Sequence, residues 1–177
     1  SVEKSKLVDY IISEEDKTRI RQTIEVLIST HSDERNLGSN RDDIIRYIVT
    51  GLIHNNQPEK LRILMSTNYD VISLFDDSSS SQHSLSFTHP IIVAVENGYD
   101  ECLSVLLSGR TKSSVLTSIR DEFGNNIIHI CCRGQSDDAM VRLLFNEIRG
   151  KQQLSKMLLA TNIKQQTPLH IACEHNK

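Results

Sequence analysis

An all-α fold of stacked helix pairs is what this chain predicts, and three observations predict it. Apolar residues recur at helical spacing, as in "VRLLFNEI" (141–148), where Val141, Leu144, Phe145 and Ile148 fall at i, i+3, i+4 and i+7 and share one face. A short motif returns along the chain at intervals of about 42, 37 and 41 residues, and a fixed period of that size marks a repeat array. The core has to come from aliphatic side chains, because hydrophobic residues are 38% of the 177 while aromatics are 5% and Trp is absent. Thin helical layers suit such a core.

The first element is "SEEDKTRIRQTIEVLIST" (13–30). It begins with Ser13-x-x-Asp16, a capping-box pattern, and Ile20, Ile24, Leu27 and Ile28 then form a helical stripe. "DERNLGSN" (33–40) reads as a loop. Residues 1–40 do not fit the repeat and are expected to form a helical cap, since a stack needs its exposed end covered by something with a polar outer face.

About four repeats are expected over residues 41–177, roughly 42–83, 84–120, 121–161 and a truncated 162–177. The faintest is "IVTGLIHNNQPEKLRILMS" (48–66), with Asn56 at the turn and Leu61, Ile63, Leu64 and Met65 on the second apolar face. "HPIIVAVENGYDECLSVLLSG" (89–109) is clearer, with Pro90, Ala94, an Asn97-Gly98 turn and the apolar run Val105-Leu106-Leu107. "DEFGNNIIHICC" (121–132) carries Asp121, Gly124, Ile128 and His129. "NIKQQTPLHIACEHNK" (162–177) carries Thr167-Pro168-Leu169-His170-Ile171-Ala172, with Pro168 suited to a first helical turn.

Over residues 42–177 these copies resemble the ankyrin-repeat family, whose signature is T-P-L-H-x-A. The spacing is longer than the usual period of about 33 residues. The surplus falls at "DDSSSSQHS" (76–84), "GRTKSSVLTS" (109–118) and "GKQQLSKMLLA" (150–160). The first is a flexible Ser-rich stretch, while Leu154, Met157 and Leu158 give the last a helical spacing that extends a helix or adds one. The chain opens on Ser1 and closes at Lys177, before the second helix of the last copy, so a longer parent protein is expected. "DEFGNNIIHICC", a long insert and "NIKQQTPLHIA" also look like the opening repeats of the inhibitor-of-κB family and the precursor Rel proteins.

The resemblance implies an ankyrin-repeat solenoid that binds another protein through its turn tips and the open side of each first helix. Carried over residue by residue, those positions are Leu85, Ser86, Glu96 and Asn97, then Glu122, Phe123, Asn125 and Arg133, then Ile163, Lys164, Gln166 and Glu174. Phe123 is the expected anchor, and Gly124 is expected to need φ > 0. The resemblance further implies that His129 and His170 bond backbone groups beside the turn. The parent is read as a scaffold, adaptor or targeting protein. An inhibitor-of-κB-like regulator, a ubiquitin ligase that recruits substrate here, and a membrane channel with cytoplasmic repeats stay open beside it.

Other chemistries are expected to be absent. Glycines are scattered singly, with no phosphate-binding loop, and nothing resembles G-x-S-x-G, so no catalytic residue and no cofactor is expected. A zinc site drawn from His129, Cys131, Cys132, His170, Cys173 and His175 would need four ligands converging on one point. Cys131 and Cys132 instead fall on small-residue packing positions and are expected to be buried, so no metal is expected. The net charge of −3 is too small for a nucleic-acid footprint, and the apolar runs are too short to span a membrane. Four cysteines without a Cys-x-x-Cys pattern point to a reducing compartment, the cytoplasm or nucleus.

Overall fold

A computed structural model describes residues 2–29, 38–67, 70–76, 88–108, 113–148 and 150–176. The described residues form helices, with one isolated bridge between Arg120 and Asn126 and no strand. They fall into two compact units, Ser1–Pro90 and Ile91–Lys177.

The first unit holds α1 (Val2–Ser13), α2 (Lys17–Ser29), α3 (Gly38–His54), α4 (Pro58–Met65) and α5 (Ser73–Asp76). α1 packs on α3, α2 packs on α4, and α3 touches both α4 and α5. Ile11, Ile20, Ile24, Leu52, Leu61 and Leu64 are buried at the contacts, and each such side chain contributes about 1.5–3 kcal/mol. Leu27, Ile28, Ile63 and Met65 reach only half-burial, so the expected stripes are narrower than the sequence suggested.

The amino-terminal helix differs from expectation in its start. Ser13 ends α1 and donates its hydroxyl back to the Tyr10 carbonyl (3.1 Å). Asp16 caps α2 instead, its carboxylate accepting the N–H groups of Thr18 (2.8 Å) and Arg19 (3.4 Å). These bonds hold the Asp16 carboxyl below its ordinary range. Gly38–Asn40 form the first turn of α3 rather than a loop, and residues 33–37 lie outside the described residues.

The α3–α4 turn is closed by a left-handed residue. Asn56 has φ of 46°, its N–H donates to Ile53 O (2.9 Å), and the Gln57 N–H donates to Leu52 O (2.9 Å). This six-to-one and five-to-two pair is the Schellman arrangement, and Pro58 then opens α4. α5 is tied to α3 by Arg46, which donates twice to the Leu74 carbonyl (3.0 and 2.9 Å) and pairs with Asp43 (3.0 Å).

The second unit holds α6 (Pro90–Glu96), α7 (Asp100–Ser108), α8 (Ser113–Ser118), α9 (Ile127–Arg133), α10 (Asp138–Glu147), α11 (Lys151–Leu159) and α12 (Pro168–Glu174). α7 packs on α10, and α12 packs on α9 and α11. The α6–α7 turn repeats the geometry of Asn56. Gly98 has φ of 70°, its N–H meets Val95 O (3.3 Å), and the Tyr99 N–H meets Ala94 O (2.9 Å).

Gly134 is needed for a different reason, which is close approach. A Cβ there would lie 2.7 Å from the Glu96 carbonyl oxygen. Its absence lets the Gln135 N–H bond that oxygen (3.0 Å) and the Ser136 hydroxyl bond Val95 O (2.9 Å).

The surplus residues of the spacers add short helices. α11 occupies 151–159, with Met157 buried, Leu154 half-buried and Leu158 open. α8 occupies 113–118, where no helix was expected, and Leu116 with the following Ile119 anchors it in the core. Of the Ser-rich stretch only Asp76, the last residue of α5, is described.

Candidate interaction surface

Two turns of the second unit, 121–126 and 162–167, are built alike. Asp121 Oδ1 accepts the N–H groups of Phe123 and Asn125 (both 2.9 Å). Asn162 Oδ1 accepts those of Lys164 (2.9 Å) and Gln166 (3.0 Å). The backbones close in the same way, Asp121 N–H on Asn125 O (3.1 Å) and Asn162 N–H on Gln166 O (3.0 Å). Each turn needs a left-handed residue before its last corner, supplied by Gly124 (φ 71°) and by Gln165 (φ 60°). A side chain in that region costs on the order of 1–2 kcal/mol, which the Asn162 bonds hold in place.

Three hydrogen bonds stitch one turn to the next. The Ile163 N–H donates to Phe123 O (3.0 Å), Asn162 Nδ2 donates to Asn125 Oδ1 (2.9 Å), and His129 Nε2 meets Gln166 O (2.9 Å). The His129 tautomer follows from its other nitrogen. Nδ1 accepts the Asn126 N–H (3.3 Å), so Nε2 carries the hydrogen and donates to the Gln166 carbonyl. Burial lowers the His129 pKa, and the carbonyl of Gln166 only partly opposes that. The neutral ring is therefore the form that makes this stitch. His170 takes the same place one repeat later and accepts the Thr167 N–H (3.1 Å), but it is exposed.

The positions carried over from the resemblance separate into two groups. Glu122, Phe123 (42% exposed), Ile163 (66% exposed), Lys164 and Glu174 are open to solvent. The Phe123–Ile163 backbone bond brings an aromatic and an aliphatic tip together, with an anionic Glu122 and a cationic Lys164 beside them. The other group is committed to the fold. Asn125 is not at the surface as expected: it is 5% exposed, with its amide donated to Asp121 Oδ2 (2.9 Å) and its oxygen taken by Asn162. Asn97 is folded back onto Val93 O (2.8 Å). Arg133 bridges Glu96 and Asp121 (3.4 Å to the latter), so all three charges are partly shielded. Gln166 spans Glu174 and Asn162. Leu85 and Ser86 lie outside the described residues.

Asp121 stands in the sequence motif without an assigned role and Asn162 without any, yet these two organise the edge. Their signal was an Asp or Asn four residues before a buried or clamped amide, Asn125 or Gln166. An apolar cleft of about 160 Å³ also escapes the sequence; its walls include Ile128, Val141, Phe145, Leu158, Leu169 and Ala172.

The cysteines are placed as follows. Cys102 is buried, and burial pushes its thiol up to about 11, which makes it a poor nucleophile. Cys131 is buried, but Cys132 is half-buried rather than buried as expected, because it lines the open apolar cleft. Cys173 is exposed. Among the described residues no three His, Cys, Asp or Glu side chains converge on a metal-sized point. No described helix is long and apolar enough to cross a membrane.

Residues 91–177 match the family model of ankyrin repeats in three copies. No curated protein and no solved structure matches the chain.

Proposed function

Through residues 91–177 this chain belongs to the ankyrin-repeat family, and on that premise we propose that the edge formed by its turn tips docks another protein within a scaffold or adaptor. Ankyrin repeats are protein-interaction modules, and the fold is not a catalytic one. The observation that supports the edge is the pairing of Phe123 with Ile163. Both are large, apolar and open, and both sit on turns locked by Asp121 and Asn162. A rigid apolar pair flanked by one charge of each sign loses little conformational entropy on binding, which is what a hot spot requires. Placement in the cytoplasm or nucleus is part of the same proposal, because the Cys102 and Cys131 thiols fill packing positions.

The test compares the chain with its Phe123→Ala/Ile163→Ala double variant as bait for affinity capture. A partner captured by the first is then titrated against both. A loss of at least about tenfold, or 1.4 kcal/mol, with an unchanged melting temperature supports the edge. Equal affinity for both baits refutes it.

A further inference from the structure

The repeats of the second unit provide an internal control for exposure. Phe145 and Leu169 are open, whereas their equivalents one repeat earlier, Leu107 of α7 and Ile128 of α9, are buried. Residues of that kind are stacking positions and say nothing of a partner. A binding surface has to stay open in a copy that already has the following repeat beside it.

One row of positions does so. Asp121 and Asn162 play the same part in their turns, which sets the two copies in register. Ser118 then pairs with Leu159, Arg120 with Thr161, Glu122 with Ile163 and Phe123 with Lys164, and all eight are exposed. The earlier four are exposed although the turn 162–167 is bonded to the turn 121–126 and α12 packs on α9. The residues between them are drawn in: Ile119 and Asn162 are buried and Ala160 is half-buried. Ala160 has extended backbone, with φ of −64° and ψ of 147°. The chain therefore leaves α11 as a short strand-like run that turns Leu159, Thr161 and Ile163 outward. Leu159 is 77% exposed, and at about 3.3 Å per residue it stands roughly 13 Å from Ile163 along the run. The Ile163–Phe123 backbone bond carries the row on to the aromatic tip.

The charge beside this row is mostly of one sign. Lys156 lies one turn before Leu159 on α11, Lys164 follows Ile163, and both are exposed. Arg120 is held on the earlier copy by donating to the Thr117 (2.9 Å) and Ile119 (2.6 Å) carbonyls. Glu122 is the one acid of the row. Residues 148–173 contain four Lys or Arg and no Asp or Glu, in a chain whose net charge is −3, so the cationic bias is local.

We propose that this row holds an acidic segment of another protein in extended conformation. It rests on the reading of the turn edge as a docking surface and names the partner's chemistry. Alternate side chains of an extended segment share the pitch of the row, so apolar residues at i and i+4 meet Leu159 and Ile163 together. Acidic residues outside that pair meet Lys156 and Lys164. Exposed ion pairs are individually weak, so these lysines select the partner and make its binding sensitive to salt.

The probe is a phage-displayed library of random dodecapeptides panned on the full chain. Enriched sequences are expected to be acidic, with apolar residues four apart. One of them, synthesised with a fluorescent label, is then titrated. Leu159→Ser and the double variant Lys156→Glu/Lys164→Glu should each weaken it at least tenfold at an unchanged melting temperature, and so should Phe123→Ala/Ile163→Ala. Raising the salt from 50 to 500 mM, roughly from long to short screening length, should weaken it as well. Leu169→Asp should leave it unchanged. Absence of enrichment overturns the row, as do enriched peptides without acidic bias or with the i, i+3, i+7 spacing of a helix. Binding lost in Phe123→Ala/Ile163→Ala but indifferent to Leu159→Ser and to the lysine pair leaves the turn edge standing and overturns the row. Binding indifferent to all of these overturns both. Sedimentation showing dimers that Leu159→Ser abolishes, with no peptide bound, assigns the row to a second copy and overturns the acidic segment.

Discussion

His129 and His170 are the same residue of the same motif, yet their surroundings predict different costs for their removal. Replacing His129 with Leu leaves a side chain of similar size in a site 1% exposed, so the cavity contribution is small. What is lost is polar. The Asn126 N–H has His129 Nδ1 as its partner and is buried, so orphaning it costs about 1–3 kcal/mol. The Gln166 carbonyl loses one bond but keeps the Asn162 N–H (3.0 Å), so that part costs only about 0.5–1.5 kcal/mol. The added apolar burial offsets a fraction, leaving a net of about 2–3 kcal/mol. At His170 the exposed Thr167 N–H can turn to water, and His170→Leu should cost less than about 1 kcal/mol. Urea unfolding of both variants followed by circular dichroism gives the comparison, provided the slopes agree with the parent. Equal costs at the two positions would show that the stitch to Gln166 carries no net stability and would refute the reasoning.

Two further outcomes are expected. Gly124→Val forces a β-branched residue into φ of 71° and sets its Cβ 3.4 Å from Ile163 Cγ2, so it should cost about 1–3 kcal/mol, while Phe123→Ala at an open tip should stay within about 1 kcal/mol in the same thermal melts; comparable losses would make Phe123 a core residue. His89, edge-on to Phe75 with centroids 5.9 Å apart, is pushed down to about 4 by burial from an ordinary 6.5. The unfolded chain therefore binds more protons between those values. Stability is full above pH 6.5 and falls as pH drops toward 4, by at most about 3 kcal/mol from this residue. His129 acts in the same direction, whereas the lowered Glu14 and Asp16 carboxyls act below that window. His89→Gln should flatten the slope of unfolding free energy between pH 6.5 and 4.5, and an unchanged slope would sink the assignment.

The turns were the most legible part of the chain because their geometry is set by residues close in sequence. Asp121, Gly124 and His129 stand at separations that a single turn and its helix fix, and the structure places each where those separations require. Asn125 was misread because its role depends on Asn162, a residue of the next turn, and no local pattern reports that bond. α8 escapes the sequence for a related reason, whereas α11 falls where Leu154, Met157 and Leu158 have helical spacing. "SSVLTS" carries weak helix formers, and what holds α8 is the burial of Leu116, supplied by the rest of the unit. α1 was missed although its Ile11 is fully buried, since a single twelve-residue segment with Leu7, Ile11 and Ile12 as its clearer apolar positions gives a faint stripe.

The stripe of α10 carries this furthest. Val141, Leu144, Phe145 and Ile148 have a flawless helical period, yet Leu144 and Ile148 are buried while Val141 and Phe145 border an open cleft. Period reports that a helix has an apolar face. Coverage of that face is a property of what packs against it, and in a repeat array each face is covered by the neighbouring repeat. Comparison of α10 with α7 therefore adds what the period cannot. Where the same position is buried in one copy and open in the next, the difference measures a missing neighbour rather than a choice of residue. On this argument Phe145 and Leu169 belong with the core positions Leu107 and Ile128, and their exposure reflects which helices pack beside them among the described residues rather than their own chemistry.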